Sequence, residues 1–252
     1  MTIKLIYSII SLILVIMCPI AFFMYEKKVN GISFKFWDVI IGIVAEFLCK
    51  HVLVSLVISI LSQITFIYDI LTNTVVYITL YVLLTALAVM LGLLLVNKFY
   101  YHDKLNKNNV CGLTVGMTIA DIINTTLMAA ISNLLYIQQI SNGTLYDNLV
   151  KSVTADVANN VIDTYTAMPN GYFIYVGIIT VAMLTSNFLV CTLFNSLKSN
   201  KIMRFIYPFI MIAIFTTVYY FTDPTKVSYA NVVLIIFSIV QMVFAQINLK
   251  EN

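Results

Sequence analysis

Ionisable side chains are scarce in the long apolar stretches of this sequence, and those that do occur there are expensive and tend to turn inward. Glu46, Lys50 and His51 lie together in one such stretch, and Asp121 lies in another. Glu46 and Lys50 are four residues apart, so on a helix they share a face and can neutralise each other. They could form part of a polar cavity or a proton path; the plainer alternative is a self-satisfied ion pair or a partner contact. Asp121 belongs to a stripe of Thr114, Met117, Asp121, Asn124, Thr125, Met128 and Ser132 that follows three- and four-residue steps. Its natural partners are Asn124 on the same face and Lys50 across a bundle, which makes Glu46, Lys50, His51, Asp121 and Asn124 one candidate polar cluster. The stripe reads equally well as a polar seam between helices. A further group, Met183, Thr185, Ser186 and Asn187, places Met183 and Asn187 on one face, where such residues often only bond a neighbouring helix. If the chain catalyses anything by acid–base chemistry, the available pair is Asp121 and Glu46.

Other reaction centres are not evident. The two histidines are His51 and His102, and neither an H-E-x-x-H, a P-loop nor a G-x-S-x-G motif occurs. Cys18, Cys49, Cys111 and Cys191 are far apart and form no C-x-x-C, so neither a disulfide framework nor a zinc site is indicated. They read as small packing residues. No metal and no cofactor is expected.

These side chains must be positioned by elements built for lipid. Hydrophobic residues make up 61% of the 252 and charged residues 10%, with a mean hydropathy of +0.97. A soluble domain carries about 25% charged residues. The composition excludes a cytosolic enzyme, a nucleic-acid binder and a secreted disulfide scaffold. A helix crossing the bilayer core needs about 20 apolar residues, and seven stretches qualify: 5–25, 37–62, 74–96, 110–140, 172–195, 205–222 and 229–247. The fourth exceeds one crossing, so it tilts or projects.

Orientation follows the basic residues. Lys27, Lys28, Lys35, Lys98, Lys104, Lys107, Lys198, Lys201, Arg204 and Lys250 fall on one side; Lys4, Lys151 and Lys226 fall on the other. That bias puts the N-terminus outside and the C-terminus in the cytoplasm. No A-x-A-like site follows the first span, and Met17 before Cys18 is too large for a lipoprotein site, so the span is expected to be retained. Between the fourth and fifth spans, Leu145, Leu149, Val153, Val157 and Val161 recur every four residues, with Asp147, Lys151, Asp156 and Asp163 on other faces. That pattern predicts an amphipathic helix lying on the outer surface, ended by the turn Pro169-Asn170-Gly171. The expected fold is an all-α integral membrane protein, a single transmembrane domain over 1–252 with about seven spanning helices, multi-pass in the cell membrane.

Several stretches resemble the YhfC family of intramembrane proteases, related to the CPBP glutamic-type group. MCPIAFFMYEKKVNGISFKFWDVIIG is similar to that family's first span, basic loop and second span, and GLTVGMTIADIINTTLMAAISNLLYIQQISNG to its glycine-rich reactive segment. The resemblance covers the first to the fifth span. It implies an E-E-x-G-R-like motif where this chain has Val89-Met90-Leu91-Gly92-Leu93. It implies G-H-G-x-x-E where the chain reads Gly116-Met117-Thr118-Ile119-Ala120-Asp121. A third motif, H-x-x-x-[SN], corresponds to Met183-Leu184-Thr185-Ser186-Asn187. Val89, Met90, Leu93, Met117 and Met183 thus replace acids, an Arg and histidines, while Asp121 and Asn187 remain polar. General-base activation contributes about 10²–10⁴-fold, and apolar side chains cannot supply it. Methionine fills the vacated volume.

The resemblance therefore implies a catalytically silent relative that still binds a hydrophobic peptide or a membrane-protein partner, as a subunit, regulator, immunity factor or assembly factor of a membrane complex. Two alternatives stand beside it: an active peptidase using Asp121 and Glu46, and a permease subunit working with a separate ATPase. The expected partners are the lipid bilayer and another membrane protein or peptide, an ABC-type transporter among the possibilities; nucleic acid is not among them.

Overall fold

A computed structural model describes residues 1–197, 199–221 and 227–250. The expected end of the sixth span at residue 222, and the cations Lys198 and Lys226, lie outside the described residues. Ten helices account for nearly all the rest: α1 Thr2–Asn30, α2 Phe36–Leu61, α3 Thr65–Leu71, α4 Thr74–Tyr100, α5 Lys107–Ser141, α6 Leu145–Leu149, α7 Ala155–Ala167, α8 Tyr172–Ser196, α9 Lys201–Phe221 and α10 Val227–Lys250. No strand occurs among the described residues. Seven of these, α1, α2, α4, α5, α8, α9 and α10, are long and apolar enough to cross a membrane, as expected of a multi-pass membrane protein, because in lipid each backbone polar group must be paired within its own segment.

Local chemistry sets the boundaries. The Asn73 side chain accepts from the amides of Val75 and Val76 and starts α4, and Asn106 accepts from those of Asn108 and Asn109 and starts α5. Helix α1 runs past the expected end at 25 because Lys27 and Lys28 suit its C-terminal dipole. It stops at Gly31, whose φ of 64° is left-handed backbone that glycine adopts at little cost.

The amphipathic helix expected over 145–161 is two separate helices, α6 and α7. Thr154 has extended backbone at the start of α7, and Val153 and Val157 are exposed while Leu145 and Ala158 are buried. A four-residue recurrence is compatible with one helix or with two, and the β-branched, polar run Ser152-Val153-Thr154 breaks it here.

Helix α8 is buried along almost its whole length and packs against α1, α5, α9 and α10. Helices α2 and α5 pack most closely. Glycines 112 and 116 form a small-xxx-small face on α5. A Cβ on Gly42 would come within 2.6 Å of the Leu113 carbonyl oxygen, so the two backbones touch. Helix α9 packs on α4.

Polar clamps fix each end. At the end carrying Met1, Lys4 donates to the Tyr165 and Thr166 carbonyls at 3.0 and 2.6 Å, tying down the end of α7. The Tyr165 hydroxyl donates to Asn133 at 3.2 Å, and burial pushes this phenol up to about 12. At the opposite end, Asp38 accepts from the Tyr101 hydroxyl at 2.7 Å and from Asn109 at 3.2 Å. Burial, then this hydrogen bond to Asp38, holds the Tyr101 phenol well above its ordinary value. Glu26 there accepts from Asn30 at 2.6 Å and from Gln246, joining α1 to α10.

Candidate functional site

Three of the spans carry π-helical turns, Phe47–Leu53 in α2, Val96–Tyr100 in α4 and Ile122–Thr126 in α5, and the buried charges gather at the first and the last. A π turn bonds i to i+5, so residues four and five apart come close to one face; such turns recur at functional sites. In α2 this lets Glu46, Lys50 and His51 all address the interior. In α5 it begins just after Asp121.

The result is a charge cluster inside the bundle. Lys50 Nζ lies 2.6 Å from Asp121 Oδ1 and 2.9 Å from Glu46 Oε1. His51 Nε2 lies 3.2 Å from the same Asp121 oxygen. From α8, Asn187 donates to Asp121 Oδ2 at 3.1 Å and also to the Thr118 hydroxyl at 3.3 Å. Asp121 and Glu46 are 1% and 2% exposed, so neither carboxylate has bulk solvent to rely on. Glu46 Oε1 is close to the Lys50 ammonium but finds no well-directed hydrogen bond among the described residues.

The sequence-based cluster needs one correction. Asn124 is exposed and donates to the Ala120 carbonyl at 2.7 Å instead of meeting Asp121. The cause is the π turn, which rotates the i+3 position away. The same turn ends the polar stripe as an interior feature: Thr114, Met117 and Asp121 are buried, whereas Asn124, Thr125 and Met128 are exposed. Thr125 donates instead to the Asp121 carbonyl at 2.5 Å. The amide that does reach Asp121 is that of Asn187.

The family-motif positions divide between two places. Val89, Leu93 and Met117 pack with Gly42, Ala45, Glu46, Gly92 and Leu113 around a void of about 10 Å³. Met90 is fully buried in the same core. Together they form an apolar layer on the Asp38 side of the charges. Met183 stands apart, on the opposite side of Asp121, in contact with Thr125 at 3.8 Å. The five apolar substitutes therefore do not form one ring about Asp121.

On the Met1 side of the cluster there is a cavity of about 70 Å³, lined by Lys50, His51, Asp121 and Thr125, by Tyr81 and Thr85 of α4, by Met183, and by Phe215, Thr216, Tyr219 and Tyr220 of α9. Its α4 and α9 walls were not singled out in the sequence. The one available signal was the pairing of tyrosines at 77 and 81 and at 219 and 220. The larger concavity lies elsewhere. It is a groove of about 460 Å³ between α1 and α10, floored by α8, with Ile13, Met17, Ala21 and Phe22 on one wall and Ile239 and Met242 on the other. Thr185, Ser238 and Tyr25 bring hydroxyls to that lining, and Cys18 a thiol.

Among the described residues, no three His, Cys, Asp or Glu side chains converge as a metal ligand set. All four cysteines are free; Cys191 contacts the Met117 sulfur at 3.5 Å. No family model, curated protein or solved structure matches the chain. The resemblance to YhfC-like proteases therefore rests on the residues quoted for it.

Proposed function

We propose that this chain is a multi-pass protein of the cell membrane that binds an apolar segment of a membrane protein or peptide and does not cleave it, as a subunit or regulator of a membrane complex. The observation that carries the reading is the state of Asp121. One carboxylate oxygen already meets Lys50 and His51, and the other accepts from Asn187. A general base must reach the proton that it takes, and Asp121 is 1% exposed with its charge already matched by Lys50 at 2.6 Å. Glu46, the other acid, faces Lys50 and the apolar layer of Val89, Leu93 and Met117. The peptidase alternative would require this network to be dismantled.

Binding is assigned to the groove between α1 and α10. Its apolar walls match the side chains of a lipid-embedded segment, and floor hydroxyls such as those of Thr185 and Ser238 are the groups that bond across helices in membranes. A photo-crosslinking residue at Met17 or at Ile239 should capture one partner in intact membranes. The same residue at Leu87, exposed on the far side on α4, should not, and Ala21→Trp should abolish capture at Met17. Equal capture from Leu87, or capture indifferent to Ala21→Trp, would contradict the assignment.

The orientation belongs to the same proposal. The basic residues favour an outside N-terminus, with α6 and α7 on the outer side and the Asp38 end in the cytoplasm. In a background lacking the four native cysteines, Asn142→Cys should react with an impermeant thiol reagent on intact cells and Asn200→Cys should not. The reverse pattern would invert the topology.

A further inference from the structure

The groove between α1 and α10 ends at a clasp. Both helices pack on α8. Among the described residues, the side-chain hydrogen bonds that join them to each other lie at the Asp38 end, where Asn30 donates to Glu26 at 2.6 Å and to Gln246 at 3.0 Å, and Gln246 donates to Glu26. From Tyr25 back to Ile13 the groove runs along α1 for about 18 Å at 1.5 Å per residue. The hydrocarbon core of a bilayer is about 30 Å thick, so the groove is little more than one leaflet deep. Its volume is about 460 Å³. A methylene takes up about as much room as a water molecule, about 30 Å³, so an unbranched chain of about fifteen carbons fills it. The Thr185 hydroxyl gives its proton to Ala182 or Gln241, and that of Ser238 to Leu234. An alkyl chain lying over them therefore leaves no donor unpaired. The interfacial end of the groove is charged. Lys28 follows Met17 by eleven residues, and Lys250 follows Ile239 by the same interval. Eleven residues are about three helical turns, so each lysine continues a wall of the groove. Lys28 is two residues from Asn30 and Lys250 four from Gln246, the pair that the clasp holds together, so both ammonium groups stand at one end. Both lysines are exposed and neither is ion-paired with a described residue. Tyr25 stands between them and the alkyl lining, an amphipathic ring of the kind that sits at headgroup level.

We propose that this groove holds one acyl chain of an anionic phospholipid, with the lipid phosphate at Lys28 and Lys250. The slot matches a single chain in depth and volume, and the two ammonium groups at its end match an anionic headgroup in charge. Glu26, the acid of these two helices among the described residues, does not oppose that match: it is wholly buried and taken up by the amides of Asn30 and Gln246. The inference rests on the reading of the groove as a binding site and adds a regulator to it, because a partner segment has to displace the lipid to enter.

The test uses the full chain purified in dodecyl maltoside at low ionic strength. It is titrated with dioleoyl phosphatidylglycerol or with phosphatidylcholine of the same chains, and native mass spectrometry counts the lipids retained. One phosphatidylglycerol should be retained, about twenty-five-fold more tightly than phosphatidylcholine, at about fivefold for each lysine beside an anionic headgroup. Lys28→Gln with Lys250→Gln should erase that preference and leave phosphatidylcholine retention as it was. Lys98→Gln with Lys107→Gln, at the same end of the bundle but on α4 and α5, should change nothing, which separates a site from a general attraction to basic residues. Ala21→Trp fills the groove without altering a charge and should lose the retained lipid of either kind at an unchanged unfolding midpoint. Equal retention of the two lipids, a preference lost as readily in the Lys98 and Lys107 variant, or full retention in Ala21→Trp would overturn the inference. Retention of lipid with no partner captured at Met17 would remove the partner reading and leave the lipid site standing; capture of a partner with no lipid retained would do the reverse.

Discussion

Lys50→Met should destabilise the folded protein by about 3–5 kcal/mol, the cost of breaking a buried ion pair from one side. Lys50 is the fixed cation between two carboxylates that are almost wholly buried. Removing it leaves Glu46 facing an apolar layer and Asp121 with only His51 and Asn187. The loss should be read as an equilibrium unfolding shift in mixed micelles. Restoring neutrality gives the diagnostic comparison. Lys50→Met combined with Glu46→Gln and Asp121→Asn should recover most of the loss, because no charge is then left unpaired. A single-variant loss below about 1 kcal/mol, the range of exposed ion pairs, would mean that the cluster is solvated.

Gly116→Val should be the second severe substitution, costing about 3 kcal/mol, at the upper end of the range for overpacking a tight interface. A Cβ at Gly116 would run into the Val39 carbonyl oxygen and would lie 2.9 Å from both Gly42 Cα and Ile43 N. These are backbone atoms, so no rotamer change can relieve the clash, and α2 must move away from α5. Lys50 rides on α2 and Asp121 on α5, so the displacement also stretches the ion pair between them. Gly92→Ala is the matched control. Its Cβ would meet chiefly the Cys49 side chain, with Sγ at 3.3 Å, and that side chain can yield. It should cost less than about 1 kcal/mol. Folded yield and unfolding midpoint in detergent separate the two, and equal losses would show that α2 and α5 are not in backbone contact.

The spans were legible because the bilayer imposes a length and a composition that few other structures share. The Lys50–Asp121 contact was legible for a related reason: a carboxylate in an apolar helix needs a cation, and Lys50 is the one lysine deep in another span. What the pattern could not carry was the local winding. A π turn has no compositional signature, so Asn124 was placed beside Asp121 by ordinary helical spacing, and the actual amide donor is Asn187. The apolar occupants Val89, Met90 and Met117 lie on one side of Asp121, and the turn at Ile122–Thr126 and the depth of α8 set Met183 on the other. The contact of Gly112 and Gly116 with α2 had a readable signal, the four-residue spacing of two glycines, which reading Gly116 only as part of a reactive motif passed over. The leucines and valines at 145–161 show the converse risk, a periodic pattern that spans a break.

The account's central claim, that this membrane protein holds its partner without cutting it, is tested most directly by mass spectrometry of the polypeptide captured at Met17. With the native sequence and with Asp121→Asn alike, the captured partner should be full length. A partner truncated within its membrane segment by the native protein, and left intact by Asp121→Asn, would contradict the claim and make Asp121 a catalytic residue.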